Sequence, residues 1–268
     1  MHPLSQIPSP WWIVQHGDDP IIATAIHDGH ALGAHTSAAM QLPEDARLRE
    51  EDPHTGQAIL GVPTHVIALR SRFEADLNRG LDNAVYLDPE QSWGLEVWRD
   101  PPDGELLQQL HDYHRGFYRM LGELLDGIVA RHGRFVVLDV HSYNHRRDGA
   151  DAPPTPQADA PDINIGTFSM PREHWAFLLD PLIEAMRVFD FNGRRLDVRE
   201  NIAFQGKGEL TRFVHTRYPQ TGCAIALEFK KFYMDEWTGT PHADELAAMR
   251  AFIGHTANQA RVLLGSPA

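Results

Sequence analysis

Histidine and carboxylate are the residue types in this chain best placed to do chemistry. The sequence holds 16 histidines, and imidazole is the commonest metal ligand. Four apolar, β-branched stretches each hand over to an ionisable group. Residues 20–27 (PIIATAIH) end at His27, and 64–73 (THVIALRSRF) carry Arg70 and Arg72. Residues 134–141 (RFVVLDVH) end in Asp139 and His141, and 222–229 (GCAIALEF) carry Glu228. One polar residue at a strand end usually just begins a solvated loop. Four at the same edge describe a site, because ligands of open α/β sheets collect at the carboxyl ends of strands.

The residue types narrow the chemistry. His27 and His141 are the natural pair of metal ligands. A third, carboxylate ligand comes from the run Glu50, Glu51, Asp52, and Asp139 is placed to orient a ligand histidine from behind. This donor set suits a catalytic Zn2+, or another divalent metal, with one position open to water. Glu228 emerges from a hydrophobic strand, where desolvation raises a carboxyl pKa and fits it for general-base work. Other chemistries lack their motifs: there is no H-E-x-x-H, no G-x-S-x-G, no Walker A loop, and no G-x-G-x-x-G after a strand. Cys223 is the single cysteine. It excludes an internal disulfide and a multi-thiolate zinc site, and its place within a predicted strand reads as core.

The elements that must position these residues follow from periodicity. Residues 104–132 repeat apolar positions at helical spacing, with Asp103 as cap and Gly133 as stop. Residues 171–189 put Trp175, Leu178, Leu182, Met186 and Phe189 on one face, and 241–263 form a further helix opened by Thr240-Pro241. Strands alternating with helices predict an α/β fold with a mostly parallel sheet. The segment 148–163 is too rich in Pro, Ala and Asp for regular structure, and its length suggests a lid over the site.

With no internal repeat or linker, residues 1–268 are expected to form a single catalytic domain. No apolar run approaches the ~20 residues that span a bilayer, and the start of the chain has no signal-peptide pattern, so a cytoplasmic location away from membranes is expected. The formal charge of −13 argues against nucleic acid as a partner. An acidic small molecule must then be held by local arginines against the overall field.

Five segments together resemble one known family, the N-formylglutamate amidohydrolases. Asp139-Val140-His141-Ser142 is similar to the family's D-x-H-S strand end. Ser71-Arg72 through Asp76-Leu77-Asn78-Arg79 is similar to its S-R-x-x-x-D-L-N-R, and Asp162–Phe168 to its D-x-N-x-G-T-F. Gly208-Glu209-Leu210-Thr211-Arg212 resembles a glycine-rich segment ending in T-R, and Ala226-Leu227-Glu228 with Tyr233-Met234 the family's glutamate strand and Y-M. The segments keep the family's order over residues 27–236.

The resemblance implies a zinc-carboxypeptidase-like (phosphorylase/hydrolase-like) fold, a mixed, mostly parallel sheet flanked by helices. It implies hydrolysis of the amide bond of an N-formyl or other N-acyl amino acid. It makes His27, Asp52 and His141 the metal ligands and Glu228 the water-activating base. Arg72, Asn78 and Arg79, with Arg212, become the residues that hold substrate carboxylates. Two departures fall where the substrate should lie. The first ligand is followed by Asp28-Gly29-His30, which brings in His30 as a competing ligand. The glycine-rich segment reads Gln205-Gly206-Lys207-Gly208-Glu209, with one residue more than the family pattern and a glutamate where histidine is usual. A carboxypeptidase or larger-acyl deacylase of the same fold, or a family member that binds without turnover, are the alternatives these departures leave.

Overall fold

The computed structural model describes residues 10–265. Seven strands form one sheet: β1 (Trp12–Gln15), β2 (Ile21–Ala25), β3 (Thr64–Ala68), β4 (Phe135–Tyr143), β5 (Ile163–Gly166), β6 (Val198–Glu200) and β7 (Gly222–Lys230). Their spatial order is β1-β3-β2-β4-β7-β5-β6. The pairs β2–β3, β2–β4, β4–β7 and β5–β6 are parallel, whereas β1–β3 and β5–β7 are antiparallel. The sheet is therefore mixed and mostly parallel, as expected.

Successive residues of β2 serve opposite faces of the sheet, as a strand's period of two requires. Ile21, Ala23 and Ala25 join one apolar cluster, with helices α5 (Ala176–Val188) and α7 (Ala243–Gly265) packed over them. Ile22 joins the other cluster, under α4 (Gly104–His132) and α6 (Glu209–Arg217). Three short helices, α1 (Ala34–Ala39), α2 (Glu44–Glu50) and α3 (Thr55–Ala58), lie in the long connection from β2 to β3.

Helix α4 matches its expected bounds. The Asp103 side chain accepts from Leu106 N at 2.8 Å, and Gly133 closes the helix at φ +77°. Other boundaries differ. Residues 172–175 are turn rather than helix, and α5 begins only at Ala176. α7 does not start at Thr240-Pro241, because Pro241 is drawn into an isolated bridge with Met234. β3 stops at Ala68, five residues before the end of its apolar run. β4 and β7 instead run past the expected ends, so His141 and Glu228 lie within strands. Cys223 is fully buried.

Candidate active site and metal centre

The middle of the sheet sets the geometry. Asp139 and His141 are two residues apart on β4 and so share a face. Glu228 is the register partner of His141 on β7, and Asn164 of β5 pairs with Glu228 from the other side. His27 lies two residues beyond β2. Asp52 follows α2, and its backbone N–H donates to His27 O at 2.9 Å, which brings the two loops together.

His27, Asp52 and His141 converge. His141 Nδ1 lies 3.2 Å from His27 Nδ1 and 3.2 Å from Asp52 Oδ2, and His27 Nδ1 lies 3.4 Å from Asp52 Oδ2. The opposite ring nitrogens are occupied: His27 Nε2 meets Asp76 Oδ1 at 2.7 Å, and His141 Nε2 meets Asp139 Oδ2 at 3.0 Å. Thr24 Oγ1 donates to Asp139 Oδ1 at 2.6 Å, and Ser142 Oγ donates to Asp52 Oδ1 at 3.2 Å. With each Nε2–H directed at a carboxylate, both Nδ1 lone pairs and a carboxylate oxygen face one another. Three acceptors in contact repel unless a cation lies among them. Ligand atoms at ~2.0–2.1 Å from a tetrahedral Zn2+ stand about 3.3 Å apart, and the three spacings here bracket that value. The donor set therefore fits a divalent cation, and no other three His, Cys, Asp or Glu side chains among the described residues bring one ligand atom each so close together.

Burial works against charge on Asp52, but the two imidazoles beside it outweigh it and hold the carboxyl well below its usual range. Burial also opposes charge on His141, and the carboxylates of Asp139, Glu228 and Asp52 overcome it, so the cluster favours positive charge, as a proton on His141 or as a cation in its place. Glu228 behaves in the opposite way: burial dominates and pushes its carboxyl up to about 7.

These groups open into a cavity of about 480 Å3. Arg72, Asn78 and Arg79 line it, whereas Arg212 does not. Arg212 is 57% exposed and turned onto Glu209 of its own helix, since residues three apart share a helix face. Glu50 reaches the cavity rim, but Glu51 does not line it: its carboxylate takes Ser71 Oγ and His30 Nδ1. His30 is thereby tied away from the cluster. Asp28 caps Gly56 N at 3.0 Å, and burial pushes its carboxyl up to about 6. No residue of 148–163 lines the cavity, so the expected lid is not in place. That segment is held to the sheet edge instead, through Arg199 onto Ala158 O and Lys230 onto Asp162. Residues 203–208 line the cavity in its stead. Gly206 makes their path feasible: it sits at φ +74°, and a Cβ on Gly166 would come within 2.6 Å of its Cα.

Several contributing residues were not singled out from the sequence. Asp76 is one. Lys231 is another: it is buried, donates to Arg49 O at 2.6 Å and Glu51 O at 2.7 Å, and so clamps the loop that leads into Asp52. Burial lowers its pKa to about 8. Arg147 and Lys207 also line the cavity. Asp76 and Lys207 lay inside segments already compared with the family, but Lys231 and Arg147 make contacts more than 90 residues apart in sequence.

The model of the N-formylglutamate amidohydrolase family matches residues 19–234, and the chain belongs to that family of hydrolases, whose substrates are small molecules. Among solved structures, it is similar to an N-formylglutamate amidohydrolase from Ralstonia eutropha JMP134, with 18% identity and a TM-score of 0.72 over 94% of this chain and 97% of that one. A gene product of Agrobacterium tumefaciens is similar at 16% identity, with a TM-score of 0.66 over 94% of this chain and 95% of that one. At these identities the likeness establishes the shared fold. No curated protein matches the chain.

Proposed function

We propose that this chain is a metal-dependent amidohydrolase that cleaves the amide bond of an N-formyl or other N-acyl amino acid, with N-formylglutamate the first substrate to test. The products are formate, or the corresponding acid, and the free amino acid. The whole chain acts as one catalytic domain. One observation carries the reading: three buried acceptor atoms of His27, Asp52 and His141 face one another, beside a carboxylate that burial keeps near neutral pKa.

His27, His141 and Asp52 would hold the cation, Zn2+ being the best match to two imidazoles and a carboxylate. A bound divalent cation supplies positive charge that polarises a carbonyl and makes water more acidic. Glu228 takes a proton from the attacking water on its carboxylate and returns it to the nitrogen of the leaving amine. A pKa of about 7 suits both halves of that exchange, since the group must be ionised first and protonated later. Arg79 holds the substrate carboxylate at the mouth. Its guanidinium is 43% exposed, and its closest polar contacts are long, 3.4 Å to Gln91 O and 4.0 Å to Asp76.

A second reading, a deacylase for larger acyl groups, is favoured by Trp93 and Phe204, two exposed aromatics that line the cavity. Release of formate from N-formylglutamate and of acetate from N-acetylglutamate, each with and without a chelator, separates the readings. Formate release that the chelator abolishes supports the first. Chelator-sensitive activity confined to the larger acyl group supports the second, and chelator-insensitive activity contradicts both.

A further inference from the structure

Arg70 lies two residues beyond β3, and the cavity beside His27 and His141 does not use it. It lines a second cavity, of about 240 Å3, which shares no residue with the first. Glu74 faces it there: Arg70 Nη1 lies 3.4 Å from Glu74 Oε2. Among the described residues the Arg70 guanidinium has that ion pair and no hydrogen bond. Glu74 is held from its other oxygen, since Oε1 accepts from Gly33 N at 2.8 Å and from Thr36 Oγ1 at 2.7 Å. A Cβ on Gly33 would fall 2.8 Å from Oε1 and 3.3 Å from Arg70 Nη1, so glycine there lets both charged groups reach the cavity.

Two buried polar atoms in the cavity wall lack a hydrogen bond, Glu74 Oε2 and the Tyr113 hydroxyl. Their residues are 6% and 4% exposed. A buried polar group left without a partner destabilises the folded chain, and two at one cavity mark a place that the polar atoms of a ligand complete. The rest of the wall is apolar: Leu106 and Leu110 of α4, and the Trp11 ring, which meets Tyr113 edge-on at 5.6 Å. A water takes about 30 Å3 of liquid, so the space admits a molecule of several heavy atoms.

We propose that this second cavity binds a free α-amino acid with an apolar side chain. Its carboxylate lies on Arg70, whose planar guanidinium can grip it through two hydrogen bonds, and accepts from the Tyr113 hydroxyl. Its ammonium donates to Glu74 Oε2, and its side chain packs on Leu106, Leu110 and Trp11. The charges decide the class of ligand. One guanidinium and one carboxylate cancel, so a simple anion or cation would leave one of them unmatched away from bulk water, whereas a zwitterion matches both. The site is separate from the proposed chemistry, and its test needs no turnover.

The test is isothermal titration calorimetry on the full chain with L-leucine, with 4-methylpentanoate, which lacks only the ammonium, and with 3-methylbutylamine, which lacks only the carboxylate. Leucine should bind at one site per chain. Each truncated analogue forfeits one charged contact and should bind roughly 10- to 150-fold more weakly. Arg70→Met and Glu74→Gln should weaken leucine by a similar factor, and Tyr113→Phe by less. Because the Tyr113 hydroxyl is unpaired in the free protein, Tyr113→Phe should keep the wild-type Tm or raise it. Arg79→Met, in the first cavity, should bind leucine as the wild type does. An absence of saturable leucine binding at tens of millimolar overturns the proposal, as does equal affinity for leucine and its two analogues. Leucine affinity unchanged in both Arg70→Met and Tyr113→Phe overturns it too, and its loss in Arg79→Met would place the ligand in the first cavity instead.

Discussion

His141 and Glu228 are register partners on adjacent parallel strands, so the proposed ligand and the proposed base are held side by side by the sheet's own hydrogen bonds. Side chains of paired residues emerge on the same face, and a frame of this kind fixes their separation better than loops do. Replacing the Glu228 carboxylate by its amide keeps this frame and removes only the capacity to take a proton. Glu228→Gln should lower kcat by roughly 10²–10⁴ while metal content stays at the wild-type value. Near-wild-type turnover would make Glu228 a structural residue.

Of the three arginines that the resemblance assigns to substrate carboxylates, Arg79 and Arg212 differ in expectation. Arg79 faces the cavity with spare donors, while Arg212 is paired on its own helix outside it. A lost hydrogen bond to a charged group is worth ~1.5–3 kcal/mol, roughly 10- to 150-fold. Arg79→Met should raise KM by that factor for an N-acyl amino acid and leave its carboxamide analogue almost unaffected. Arg212→Met should change neither. Equal losses on both substrates for Arg79→Met would mean that its 4.0 Å approach to Asp76 is its whole role.

How much of this was legible in the sequence depended on element length and on the range of the contacts. β2, β3, β4 and β7 announce themselves because they are buried throughout or nearly so, and read as largely apolar, β-branched runs. β6 has three residues and β1 alternates at the sheet edge, so neither stands out. β5 hides behind Asn164, whose side chain accepts from Ile202 N and Ala203 N and so holds the cavity-lining loop. α6 was visible as a motif but not as a helix, since its nine residues include Glu209, Arg212, His215 and Arg217. That His27, His141 and Glu228 come together was legible because each stands at or near the carboxyl end of its strand. Choosing among Glu50, Glu51 and Asp52 from the residues alone was not possible: three adjacent carboxylates differ only in where the backbone turns them. Resemblance favoured Asp52, and the folded chain brings that residue to the histidines. Composition could not reveal that Arg72, which lines the cavity, also donates to Asp76 and Tyr86.

His215 supplies a pH test of the fold, independent of the site. It lies on α6 against β7, with Ala224 N–H donating to its Nε2 at 3.0 Å and Ser169 Oγ 2.9 Å from its Nδ1. Burial lowers its pKa from 6.5 to about 4. The unfolded chain therefore binds a proton between pH 6.5 and 4 that the folded chain refuses, so stability falls as pH drops through that window. At 1.36 kcal/mol per pKa unit the loss is about 3 kcal/mol. Urea denaturation of wild type and His215→Gln at several pH values should show the wild type losing that much more over the window. Parallel curves would remove His215 as the cause.

The central claim is that His27, Asp52 and His141 form a metal centre on which hydrolysis depends. The measurement that meets it most directly is the metal content of purified wild-type protein and His141→Ala, determined on the same preparations assayed for formate release. The account predicts about one Zn2+ per wild-type chain, as a single three-ligand site requires, and loss of both metal and activity in His141→Ala. Full metal occupancy in the variant, or undiminished formate release from a metal-free wild type, would contradict it.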